Sequence, residues 1–456
     1  MGRTPVLVDM GIPVPYTPWH IHIRGDTMKI LIVGSGGREH ALAWKAKKSK
    51  GVEKVYVAPG NAGTALEPGL ENIDIKADAI DALVEFAKKE RIDLTIIGPE
   101  APLVEGVVDA FNNAGLKCFG PVKDSARLEG SKVFTKDFLK RHGISTAEFR
   151  VFTGIDPASE YIKSHRLPVV IKADGLAAGK GVIIAKSHDE AISAARDMLS
   201  GSSFGAAGKR IIVEECLTGE EASFIVMVDG EKILPLATSQ DHKAVYDGDT
   251  GPNTGGMGAY SPAPVLTDAI YKRAMEEVIE PTVKGMAEEG SPYTGFLYAG
   301  LMVLEDGTPS VLEYNCRFGD PETQPVLLRL KSDFVELCMA ALEGHLDKAK
   351  AEWDSRASLG VVMAAGGYPE KYNKGDVITG LPEGEEGDIK VFHAGTAMKE
   401  GKVVTSGGRV LCVTALGDSV GEAQKKAYDL VRKIKWENVY FRNDIGYRAI
   451  RREEKN

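Results

Sequence analysis

The chain carries no surplus of positive charge, no apolar run long enough to cross a membrane, and no pair of cysteines at metal-ligand spacing. Each absence removes a class of function. Net charge is −9 at pH 7, so general affinity for nucleic acid or an anionic membrane is not expected. Anionic ligands must then be met by local Lys, Arg and backbone N–H groups. Cysteines stand at 118, 216, 316, 338 and 412, an odd number, which reads as reduced thiols in a cytoplasmic protein. No membrane partner is expected, since no segment has the length a spanning helix needs. No Ser-His-Asp or Cys-His arrangement is recognisable, so no protein nucleophile is evident.

What is present is a globular composition, 43% hydrophobic and 27% charged, in 456 residues. That length is too great for one ordinary core and predicts three or four domains or lobes. There are 51 glycines, about one residue in nine against an average of about 7%, and they cluster in motifs. Residues 1–27 are proline-rich without signal-peptide order. They read as a leader or a remnant outside the fold, ending where Met28 opens the first good strand. His20 and His22 form an H-x-H that could bind metal, but a disordered extension is the expectation.

From Met28 the pattern alternates strand and helix, which implies a parallel sheet with crossover connections over about 28–125. "LPVVIKADGLAAGKGVIIAKS" reads differently, as strand, glycine loop, strand. A long polar, glycine-rich loop is expected in "DHKAVYDGDTGPNTGGMGAYSP". A helix from about 267 to 289, strands at 296–304 and 309–315, and a helix from about 323 to 343 follow. The tail, about 355–450, reads as a small mixed domain with one helix.

Four segments could carry chemistry. "GSGGREH" places a glycine turn and a helix N-terminus where an anion can bind. It is a poor dinucleotide fingerprint, because Glu39 stands where the third glycine belongs. "KADGLAAGKGV" is not a Walker loop, since Gly181 and a strand follow Lys180. Gly175, Gly179 and Gly181 still let the backbone approach a triphosphate, with Lys172 and Lys180 supplying charge; alone, the segment reads equally as a flexible hairpin tip. "EECLTGEEAS" is either a charged hairpin or a hinge reading adenine and ribose. In "VLEYNCRFGDPETQ", Glu313 and Asn315 lie two apart on a strand and share one face. Both offer oxygen, which suits Mg²⁺. Tyr314 points the other way to pack, and Arg317 can reach an anion near the metal.

Occurring together and in order, these segments resemble the ATP-grasp superfamily. Within it the chain resembles the phosphoribosylamine–glycine ligases (glycinamide ribonucleotide synthetases) of purine biosynthesis. The marks are "GSGGREHAL", "PGNAGT", "IIGPEAPLVEG", "LEGSKVFTKDF", "IKADGLAAGKGV", "SQDHK", "GPNTGGMGAYSP", "YAGLMV" and "NCRFGDPETQ", covering Met28 to about Tyr447. The resemblance implies an α/β and α+β multidomain chain. An N-terminal parallel-sheet α/β domain (28–130) would precede an ATP-grasp body (131–350) with a mobile lid (about 150–219) and a small mixed C-terminal domain (351–456).

The resemblance also implies site residues. Lys132 and Lys172 would contact phosphates, and Gly175, Gly179, Lys180 and Gly181 would cover them. Glu214, Glu215, Cys216 and Leu217 match the adenine hinge, and Glu221 the ribose carboxylate. Glu313 and Asn315 match ligands to Mg²⁺ or Mn²⁺. Lys172, Lys243 and Arg317 would offset charge in the transition state. Thr254, Gly255, Gly256 and Met257, in the 251–258 loop, would orient glycine or the nascent intermediate, Asp241, Lys243 and Asp320 are further substrate-binding residues, and Gly36, Gly37, Arg38 and Glu39 are candidates for the sugar phosphate. The implied reaction joins glycine to 5-phosphoribosylamine through glycyl phosphate, with ATP becoming ADP and phosphate, in a monomer or weak homo-oligomer. The chain departs from the pattern at Ala244, where the family often has arginine, and has Gly300 where many ATP-grasp proteins place a metal-binding acid. The rivals are another ATP-grasp carboxylate–amine ligase, a nicotinamide oxidoreductase suggested by "GSGGREH" alone, and a non-catalytic nucleotide-binding module.

Overall fold

The structure is a computed structural model that describes residues 27–176, 181–201, 208–384 and 387–455. The leader up to residue 26, and Gly179 and Lys180 of the glycine loop, lie outside the described residues.

The N-terminal sheet is parallel, ordered Leu70–Asn72, Val52–Pro59, Met28–Gly34, Leu94–Ile97, Cys118–Phe119. Its central strand reads as one continuous apolar run because helices cover both faces, and Ile30, Leu31, Ile32 and Val33 are all fully buried. The strand order reverses beside this strand. The turn after it, which starts the helix Gly37–Lys47, therefore opens at the C-terminal edge of the sheet, where open α/β sheets take their ligands.

Two antiparallel four-stranded sheets follow. The first runs Phe149–Phe152, Ile211–Glu215, Val169–Ala173, Val182–Ala185. Its helices Ile155–Ser164 and His188–Leu199 close a small core of its own. The second runs Ile233–Pro235, Glu220–Asp229, Thr294–Val303, Pro309–Asn315.

Three expectations need correction. The helix expected over 323–343 is two, Thr323–Arg329 and Phe334–Leu342. Leu330 turns extended, and Asp333 caps the second helix by accepting the Glu336 N–H at 3.0 Å. The long glycine-rich segment is a hairpin of Ala244–Tyr246 with Thr250–Asn253, followed by the strand Gly258–Ser261. Gly248 and Asp249, with φ of 68° and 55°, supply the tight reversal. The tail holds two helices, Val420–Val431 and Tyr447–Glu453, and its sheet is not built from the tail alone. Gln240–Asp241 and Gly258–Ser261 continue the strands Ala357–Ala364, Arg409–Gly417 and Ile389–His393 into one antiparallel sheet. The glycine-rich segment is thereby hydrogen-bonded to the C-terminal part of the chain.

Candidate active site

Between the two antiparallel sheets lies a cavity of about 510 Å³ whose wall includes residues from all parts of the chain. Glu313 and Asn315 stand at the end of the strand Pro309–Asn315, opposite Gly300 and Tyr298 of the neighbouring strand, and both line the cavity. Tyr314 alternates to the other side, is buried, and shares a 2.5 Å hydrogen bond with the Thr282 hydroxyl. A Cβ at Gly300 would come within 3.3 Å of Glu313 Cγ, so glycine there leaves the carboxylate its room.

Lysines surround this strand end. Lys243 Nζ lies 3.2 Å from Glu221 Oε2 and 3.5 Å from Glu313 Oε1. Lys243, then Lys172 and Lys132, hold the Glu313 carboxyl down at about 2 against its burial. Lys172 Nζ lies 2.8 Å from Glu214 Oε2 and donates to Leu312 O at 3.3 Å. Lys132 Nζ donates to Gly175 O at 3.0 Å, tying the start of the glycine loop to the helix Lys132–Arg141. Asp174 reinforces the tie by accepting from Ser131 Oγ and the Val133 N–H.

The residues expected to form the adenine hinge, Glu214, Glu215, Cys216 and Leu217, and the acid Glu221 all line the cavity, as do Lys132, Lys172 and Gly181. Glu214 is almost wholly buried, takes lysines on Oε2, and has an Oε1 with no hydrogen-bond partner. The second of its lysines, Lys136, is 3.1 Å away and escaped the sequence reading. Its signal was spacing: Lys132 and Lys136 are four apart and share one helix face. Burial brings Lys136 down to about 8 despite Glu214.

Arg317 is committed to protein partners. Its Nη2 lies 2.9 Å from Glu129 Oε1, its Nε 3.3 Å from Glu100 Oε2, and its Nη1 donates to Phe318 O at 3.2 Å. Burial pushes Glu129 up to about 7 against the pull of Arg317, while Arg317 and Arg38 outweigh burial at Glu100 and hold it at about 2.

Of the turn residues Gly36, Gly37, Arg38 and Glu39, Arg38 lines the cavity and the other three do not. Glu39 folds back on its own helix, accepting the Gly36 N–H at 2.6 Å and Arg38 Nε at 2.6 Å. Met257 is buried in the core beneath the C-terminal sheet. Asp241, Lys243, Thr254, Gly255 and Asp320 do reach the wall, whereas Gly256 does not line it. Thr254 binds the Lys243 carbonyl through both its N–H, at 2.8 Å, and its hydroxyl, at 2.9 Å. Asp241 Oδ1 is buried without a hydrogen-bond partner, and burial with the nearby Glu322 raises this carboxyl well above its usual range. Ala244 is buried at the head of the hairpin, where its side chain adds no charge and its carbonyl accepts from Arg442 Nη1 at 3.1 Å.

The C-terminal part supplies residues that no local pattern announced. Arg409 Nη2 lies 2.5 Å from Asp320 Oδ2, and its Nη1 donates to Asp320 O at 2.8 Å and to Gly255 O. The Tyr368 hydroxyl accepts the Gly255 N–H at 3.1 Å.

Comparison with known proteins agrees with this layout. Family models described as the phosphoribosylglycinamide synthetase N domain, ATP-grasp (A) domain and C domain match residues 28–129, 130–323 and 358–448. The chain is 65% identical over 427 residues to a phosphoribosylamine–glycine ligase of Vibrio vulnificus, covering 94% of this chain and all of that one. It is 66% identical over 428 residues to the ligase of the same name from Escherichia coli O6:H1, with the same coverage. The crystal structure of the Thermotoga maritima phosphoribosylamine–glycine ligase superposes with a TM-score of 0.80 at 39% identity, covering 92% of this chain and 100% of that one.

Proposed function

The chain belongs to the phosphoribosylglycinamide synthetase family, and from that premise we propose how its cavity works. It joins glycine to 5-phosphoribosylamine in purine biosynthesis, with ATP becoming ADP and phosphate. The observation that carries this reading is a single cavity wall. It holds the strand-end pair Glu313 and Asn315, the lysines Lys132 and Lys172, the hinge 214–217 and the segment around Thr254.

The adenine lies along the hinge, where Glu214 Oε1 offers an unused buried acceptor. The triphosphate runs toward Lys132 and Lys172, under the loop that begins at Gly175. Glu313 and Asn315 fit a divalent cation, Mg²⁺ or Mn²⁺. Glu313 is ionised at neutral pH, and one carboxylate with one amide oxygen leaves coordination positions for phosphates and water. Bound there, the cation would screen phosphate charge.

The glycine carboxylate attacks the γ-phosphorus, the bond to the β-phosphate oxygen breaks, and ADP leaves. The amine of phosphoribosylamine then attacks the carbonyl carbon of glycyl phosphate; phosphate departs with the C–O pair and the nitrogen loses a proton. The chain contributes position and charge rather than a nucleophile. Lys172 and Lys243 face the phosphoryl group in flight, and Arg317, held by Glu100 and Glu129, adds fixed positive charge nearby. Thr254 and Gly255 align the amino acid beside Lys243. Arg38 is the turn residue placed to meet the sugar phosphate, with Arg409 and Asp320 closing that side.

We take 28–130, 131–350 and 351–456 as the working divisions, with about 150–219 as the lid. No helix among the described residues is long and apolar enough to cross a membrane, and all five cysteines are free. Both suit a cytoplasmic protein, which we take as a monomer or weak homo-oligomer. The test is ADP release with glycine and phosphoribosylamine, each omitted in turn. Release that persists without either one sinks the assignment.

A further inference from the structure

We propose that the C-terminal segment Tyr440–Arg452 is a positioning element for the amino-acid end of the site, acting through His242 and Arg442 on Asp241, Lys243 and Thr254. The inference rests on the function proposed above and assigns work to a part of the chain that touches no substrate.

Asp241 and Lys243 line the cavity, and His242 between them points the opposite way, into the protein. Its Nε2 accepts the Gly446 N–H at 3.1 Å, so its proton sits on Nδ1, 3.2 Å from Gly258 O. Burial, with Arg442 and Arg448 nearby and Asp249 opposing, brings His242 down to about 4, so it stays a neutral acceptor at working pH. Gly446 has a φ of 87°, and a Cβ there would come within 2.7 Å of Leu359. The backbone is thus bent to present this N–H to the imidazole.

Arg442 grips the next part of the same hairpin. Its guanidinium is fully buried. Nη1 donates to Ala244 O at 3.1 Å and to Asp249 Oδ1 at 2.8 Å, while Nε and Nη2 take the two oxygens of Asp444 at 2.8 and 2.9 Å. Asp249 Oδ2 accepts from Tyr447 and Arg448 at 2.6 and 2.7 Å. Asn443 binds both oxygens of Asp247, and the Tyr440 hydroxyl donates to Val245 O at 2.8 Å.

None of these tail residues lines the cavity. The hairpin they hold is short, and its outer strand, Thr250–Asn253, is exposed along its whole length. A two-stranded hairpin of this kind is marginal alone, so its placement is decided by what grips it. Through Thr254, locked to the Lys243 carbonyl, that placement is transmitted to the cavity wall.

The experiment compares the full-length enzyme with His242→Asn and Arg442→Lys, and with the milder Tyr440→Phe and Asn443→Ala. His242→Asn keeps a donor for Gly258 but loses the acceptor for Gly446. The expected result is a glycine KM raised about tenfold in His242→Asn and Arg442→Lys, from displaced positioning, and ATP KM within about twofold of the parent. Tyr440→Phe and Asn443→Ala should move in the same direction by less. If the first two variants do not fold, the milder pair carries the test by the same ratio. Unchanged glycine KM with only a lower kcat would mean loss of active protein and would overturn the inference, as would equal rises for glycine and ATP. Failure of the unmodified enzyme to release ADP in response to glycine would overturn the functional reading itself, and this inference with it.

Discussion

Lys243 stands 3.5 Å from Glu313, so that one cation and one carboxylate meet at the strand end where we place the nucleotide phosphate and the amino acid. Removing the carboxylate charge leaves Lys243, Lys172 and Lys132 without their shared counter-charge. Glu313→Gln should therefore keep the fold and lower kcat by about 10²- to 10³-fold. Thermal shift with ATP, with and without Mg²⁺, is the companion measurement: the variant should lose the increment that Mg²⁺ adds. A variant running at the parent rate would refute the placement of the cation.

Lys136 shares Glu214 with Lys172, and its Nζ also donates to the Thr146 hydroxyl at 2.7 Å. Lys136→Met should cost about 2 kcal/mol of stability, the range for a buried hydrogen bond to a charged group. It should also raise the KM for ATP, because Glu214 then draws Lys172 alone. Urea unfolding and ATP titration of initial rates check the two halves separately.

Arg409 is the only cation within 2.5 Å of Asp320 among the described residues. Arg409→Ala removes that partner and the bridge to the Gly255 carbonyl together. We expect kcat/KM for phosphoribosylamine to fall about 10²-fold, with the adenine end untouched and ATP KM near the parent value. A matching loss for ATP would mean that the C-terminal part supports the whole cavity and not one end of it.

His393 is buried where the C-terminal strand Ile389–His393 meets the N-terminal domain; its carbonyl accepts from Asn61 at 2.8 Å and its N–H bonds His40 Nδ1 at 2.9 Å. Burial, with His40 and Lys390, brings its imidazole down to about 3. The folded form thus resists a proton that the unfolded chain accepts near 6.5. Between those values the unfolded state binds more protons, so stability from this group is full above pH 6.5 and falls as pH drops. From pH 7 to 5 the contribution is about 2 kcal/mol. The parent should lose that much more than His393→Asn over the same interval, by chemical denaturation. Glu129, pushed up to about 7, works with the opposite slope, and Glu129→Gln should remove it.

The local parts of this site were readable in the chain itself. Two residues apart on a strand means one shared face, which puts Glu313 and Asn315 together and turns Tyr314 inward. Alternating strands and helices gave the parallel N-terminal sheet, and a glycine loop between two apolar runs gave the antiparallel pair Val169–Ala173 and Val182–Ala185. Motif order placed the hinge and the lysines in one protein family. These inferences need only backbone periodicity and the short-range geometry of a turn.

What the tertiary structure alone decided is which partner each charge finds. Arg317 meets Glu100 and Glu129, Arg409 meets Asp320, and Arg442 meets Asp249, in each case from a distant part of the sequence. Glu39 looked like a ligand and caps its own helix; Lys136, which no motif singled out, lines the cavity. The glycine-rich segment read as a loop because its strands pair with each other and with the C-terminal sheet. A charge's role depends on burial and on what lies within a few ångströms of it, and both are set by long-range packing that has no period along the chain.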